Sequence, residues 1–177
     1  MKKLILIICL LVASLNLSAQ TATANLNITL SDVLILTVTQ PAELTVNFDT
    51  ETKYSNGITA TALDHITIIS TKGYVVKVIA GTPSGPSSLT ASSVKLTTAI
   101  GATNGGNTVG ITYVSQLTLP TAGGTALAVI TASNSSWNGS TAVNKFNVVY
   151  LIGSSGAYAG KTIGSNVIPV VYTAIQP

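Results

Sequence analysis

Apolar and polar residues alternate one for one along most of this chain, a period that admits strands far more readily than helices. From Ala24 onward, Leu26, Ile28 and Leu30 interleave with Asn25, Asn27 and Thr29. After a break at Ser31 and Asp32 the phase continues through Leu34, Leu36 and Val38. Residues 44–48 (LTVNF) repeat the pattern and close on acidic and turn residues up to Asn56 and Gly57. Residues 65–70 (HITIIS) and 74–80 (YVVKVIA) flank Thr71, Lys72 and Gly73, which reads as a tight hairpin. Further strands are expected at 94–98, 109–119, 127–131, 143–152 and 167–175, separated by Gly-, Pro-, Asn- and Ser-rich clusters at 81–88, 104–107 and 133–140. Pro169 has no N–H to give a ladder and belongs on an edge or at a bulge. Glu, Lys, Gln and Arg are too sparse to build an amphipathic helix, and no 20–50-residue repeat marks a solenoid or propeller. The expected fold is all-β: a single Ig-like, Greek-key β-sandwich of about nine strands.

The first nineteen residues read differently. Lys2 and Lys3 precede an apolar run at 4–12 (LILIICLLV), and small and polar residues follow to Ser18 and Ala19. That is the layout of an export signal, with the sandwich domain occupying 20–177. The run is shorter than the roughly 20 apolar residues a bilayer-spanning helix needs, so no membrane span is expected in the mature chain. Cys9 is the one cysteine and lies inside the apolar run. A mature chain without cysteine has no disulfide, no thiolate metal site and no cysteine nucleophile, and its stability has to come from a packed core.

Charge narrows the function classes. Only 7% of residues are charged, against about 25% in an ordinary soluble domain, and arginine is absent. Outside the leader, lysines at 53, 72, 77, 95, 145 and 161 are scattered, with no run to track a phosphate backbone, so nucleic acid is not an expected partner. Acid–base chemistry is equally thin. His65 is the single histidine, and its neighbour Asp64 should point to the opposite face of a strand, which leaves His65 as a surface residue at a strand start. Asp49 and Glu51 sit two apart in a turn, with Glu43 and Asp64 elsewhere, too few carboxylates for a facing catalytic pair or a calcium cage. No enzyme activity and no cofactor are expected.

Two motif-like stretches fail on context. Residues 153–162 (GSSGAYAGKT) end like a phosphate-binding loop, but Ser155 stands where the first glycine is needed and no helix follows. Residues 119–123 (LPTAG) resemble a sorting signal, but more than fifty strand-like residues follow them. Two other features point to partners. Trp137, flanked by Asn134 and Asn138 in a polar loop, has the make-up of a sugar-stacking platform; the alternative is an indole folded back as a cap on the sandwich. The arm at 21–31, with Ala24, Leu26, Ile28 and Leu30 on one face, lacks the lysines, prolines or bulges that protect edge strands. It is either the first strand of its own sandwich or a strand that inserts into a neighbour.

Taken together, the leader, the Thr/Asn-rich alternating N-terminus, the strand pattern and the closing strand 170–175 (VVYTAI) after Tyr158, Ala159 and Gly160 resemble secreted β-sandwich proteins related to spore-coat-U and chaperone–usher fimbrial subunits. Many such subunits carry a disulfide near the N-terminus that this chain has no cysteine to form. The resemblance implies a structural, non-catalytic subunit exported through the periplasm of a Gram-negative bacterium to the cell surface or beyond. It implies self-association, or association with other surface subunits, through a terminal strand that maps to 24–30. A carbohydrate-binding or adhesive module using Trp137 is the alternative.

Overall fold

The computed structural model describes residues 25–39, 44–87 and 89–177. The leader expected at 1–19 and the first residue of the arm's apolar row, Ala24, lie outside the described residues. The chain divides into two units, Met1–Ser31 and Asp32–Pro177, and the second holds the sandwich.

Among the described residues, nine strands form two antiparallel sheets. In chain order they are β1 (Leu34–Val38), β2 (Ile58–Ser70), β3 (Tyr74–Ala80), β4 (Val94–Ile100), β5 (Ile111–Tyr113), β6 (Leu117–Thr118), β7 (Leu127–Ala132), β8 (Val143–Ile152) and β9 (Val170–Ile175). The first sheet runs β1-β2-β8-β4-β6 and the second β5-β7-β3-β9. The alternation sets the burial. Ala62, Ile66 and Ile68 of β2, Val94 and Leu96 of β4, and Phe146, Val148 and Tyr150 of β8 pack against Tyr74, Val76 and Val78 of β3 and Ile130 and Ala132 of β7. The residues between them on β8 (Val143, Lys145, Asn147, Val149) are only half-buried, on the outer face. The expected all-β sandwich is the observed one.

Several local expectations are corrected. The turn at Thr71–Gly73 is not a hairpin: β2 pairs with β1 and β8, while β3 pairs with β7 and β9, so the turn carries the chain from one sheet to the other. The long strand expected at 109–119 is two short ones. Gln116 adopts φ +51° between them, and β5 pairs with β7 while β6 pairs with β4 in the opposite sheet. Residues 44–48 form no strand, although Leu44, Val46 and Phe48 still alternate inward. A six-residue helix, α1 (Glu51–Asn56), stands where only turn residues were expected. Thr50 caps its start through the Lys53 N–H, and the Gly57 N–H closes its end on the Lys53 carbonyl.

Candidate functional site

The edges of the two sheets that hold β1 and β9 meet along one side of the sandwich, and they meet unevenly. At one end Gln176, just past β9, donates to the Val33 carbonyl at 2.9 Å and to Ser70 Oγ at 2.8 Å, tying the second sheet to the first. Toward the start of β9 the sheets part. Val170 and Tyr172 there line a cleft of about 990 Å³ whose other walls include Val38, Leu44, Val46 and Phe48. β9 is an edge strand with β3 as its one partner, and Pro169 sits just before it, as the sequence suggested. Its sequence, VVYTAI, carries no charge to deter another strand.

A chain of hydrogen bonds lies under the cleft. The His65 imidazole Nδ1 lies 2.7 Å from the Thr39 carbonyl oxygen, which can only accept, so Nδ1 carries a proton. In the neutral ring Nε2 then accepts from the Tyr150 hydroxyl at 3.2 Å, and the Tyr150 oxygen accepts from the Tyr172 hydroxyl at 2.7 Å. Burial is the main influence on all three groups: it lowers the pKa of His65 and raises those of Tyr150 and Tyr172. His65 is 5% exposed, so the surface histidine expected from the sequence is overturned. The cause is a bulge. Ala62 pairs with Val148 and Ile66 with Phe146, leaving Leu63, Asp64 and His65 opposite Asn147 alone. Asp64 takes φ +47°, and His65 and Ile66 are both buried in consequence.

Aromatic packing closes the cleft on another side. The Phe48 ring stands 5.4 Å from that of Tyr54 on α1 and 5.0 Å, edge-on, from that of Tyr158. Tyr158 belongs to the stretch that ends like a phosphate loop; its hydroxyl lies 2.7 Å from Ser93 Oγ. No helix follows, and strand β9 comes next, so the stretch is a turn that supplies a packing residue.

The arm is described by itself. No strand is assigned over 25–31, and Leu26, Ile28 and Leu30 are 83%, 71% and 89% exposed. The other predicted site is a loop whose anchor is fully buried. Ser136 gives its N–H to the Ser70 carbonyl, takes the Ser70 N–H on its hydroxyl at 2.7 Å, and donates that hydroxyl to the Ala142 carbonyl. Asn107 N–H binds the Ser136 carbonyl at 2.9 Å. Asn138 and Thr141 then close a two-residue turn with Gly139 at φ +61°. Trp137, between anchor and turn, is 46% exposed. Asn134 and Asn138 are also exposed, and Asn134 Nδ2 donates to the Val109 carbonyl.

Among the described residues no helix is long and apolar enough to cross a membrane. No family model and no curated protein matches this chain.

Proposed function

We propose that this chain is a non-catalytic structural subunit, exported to the cell surface or beyond, that associates with copies of itself when residues 24–30 of one copy pair with a sheet edge of the next. The observation that carries this reading is the arm: an uncharged, alternating segment whose three described apolar side chains are almost wholly in water. An uncharged, half-apolar segment of that kind gains nothing by staying solvated. Burying Leu26, Ile28 and Leu30 is worth about 5–9 kcal/mol before the cost of association. The open edge of β9 supplies unpaired backbone groups, and the adjoining cleft, walled by Leu44, Val46, Val170 and Tyr172, supplies apolar surface at the same place. The export reading rests on the basic-then-apolar order of residues 1–19.

The test is a charge placed in the arm. Ile28→Asp should leave the sandwich folded and turn a self-associating protein monomeric in sedimentation velocity. Association unchanged by that substitution would remove the arm from the contact. As a positional check, Ile28→Cys and Val46→Cys on separate copies, mixed and oxidised, should give a disulfide-linked dimer from a mature chain otherwise free of cysteine.

A further inference from the structure

We infer that the loop around Trp137 is a binding platform for neutral carbohydrate. An aromatic ring in a surface loop meets one of two ends. It folds back over apolar core, or it is held out where a flat apolar ligand covers it. Trp137 is 46% exposed, whereas Tyr74, Phe146 and Tyr150 of the core are at most 4% exposed, so much of the indole is open to a ligand. The residues that hold it there are unusual for an exposed loop. Ser136, immediately before it, is fully buried and bonded through its N–H, its carbonyl and its hydroxyl to Ser70, Asn107 and Ala142. The Asn138–Thr141 turn fixes the chain immediately after it. A ring presented by a backbone pinned on both sides loses little conformational freedom when a ligand arrives, and that is the condition for binding on a small contact area.

The chemistry of the surroundings selects the ligand class. Residues 133–142 contain no charged side chain; they offer amides from Asn134 and Asn138 and hydroxyls from Ser135, Ser140 and Thr141. Asn134 commits its Nδ2 to the Val109 carbonyl, which leaves its Oδ1 as an acceptor for a ligand hydroxyl. A pyranose has an apolar face of C–H bonds that lies flat on an indole and a rim of hydroxyls that exchange hydrogen bonds with amides. An anionic ligand would find no cation in the loop, and a wholly apolar one would leave the amides without partners. β-1,4-linked glucose and N-acetylglucosamine chains are flat, neutral representatives of that class.

Trp137 is the one tryptophan in the chain, so its fluorescence reports this site alone. The mature protein titrated with cellohexaose and chitohexaose should give a saturable blue shift with a Kd in the millimolar range or below. A sulfated hexasaccharide of similar length should give none. Trp137→Ala should abolish binding measured by calorimetry. Asn138→Ala, which keeps the fluorophore, should raise the Kd at least ~3-fold. The platform is overturned by an unshifted spectrum with both neutral oligosaccharides, by equal response to the sulfated one, or by an unchanged Kd in Asn138→Ala.

Discussion

His65 is held as a neutral ring by neighbours whose hydrogen bonds would have to reverse if it took a second proton. Its Nδ1–H is committed to the Thr39 carbonyl, so a new proton must enter at Nε2, where the Tyr150 hydroxyl now donates. Burial lowers the folded-state pKa, with the Thr39 bond opposing it. Because the folded value lies below the unfolded value of about 6.5, the unfolded chain takes up the proton first as pH falls. The stabilisation is therefore fully present above about pH 6.5 and is lost progressively below it, until the folded-state ring also titrates. Urea unfolding midpoints of residues 20–177 should fall between pH 7.5 and 5, and His65→Phe should flatten that slope. Tyr150→Phe removes the middle of the chain and strands both the Tyr172 hydroxyl and His65 Nε2. It should cost about 1–3 kcal/mol in the same assay at pH 7.5. None of this was legible from residue spacing. Alternation places neighbours on opposite faces, and a bulge at Leu63–His65 breaks that rule where Asp64 enters the left-handed region that Asp and Asn tolerate. The exposure of Trp137 was legible, because the residue sits in a loop of amides and serines.

Among the elements, period and composition located β1, β3, β4, β7 and β8 within about two residues, since each is an apolar or β-branched run bounded by turn residues, although a register shift against β3 buries both Val129 and Ile130 of β7. What they did not carry was sheet membership. A turn such as Thr71–Gly73 serves a hairpin or an inter-sheet crossing equally well, and which one forms depends on distant partners, β8 for β2 and β7 and β9 for β3. Likewise nothing local in 109–119 announces that the chain changes sheets at Gln116. The short helix α1 was hidden for a different reason. Six residues are below the length at which amphipathic period shows, and its signal is the Thr50 cap and the Gly57 stop alone. The connection after β8 tests the role given to Tyr158. Gly153 sits at φ +69°, and an added Cβ would come within 2.6 Å of the Tyr158 ring and 2.8 Å of the Phe48 ring. Gly153→Ala should destabilise the fold by more than ~1 kcal/mol, combining left-handed strain with displacement of both rings. The melting temperature should fall accordingly, and an unchanged value would mean that these rings do not pack as described.

For the whole molecule, the balance of charge and edge explains why association is the expected behaviour. A sandwich leaves edges that most soluble proteins guard with lysine, proline or bulges. Here β1 (LILTV) and β9 (VVYTAI) are both uncharged edges, and five acids and eight basic residues over the whole sequence provide little like-charge repulsion to keep copies apart. The arm adds a third uncharged strand-like segment, and its alternation was readable from the start, while the cleft beside β9 was not, because it is assembled from segments more than a hundred residues apart. Association through the arm is measured most directly by light scattering with negative-stain microscopy on residues 20–177 beside a version lacking residues 20–31. Ordered oligomers from the first and a folded monomer from the second are the predicted pair. Monomers from both would contradict it, and a truncated chain that fails to fold would make the arm part of its own sandwich.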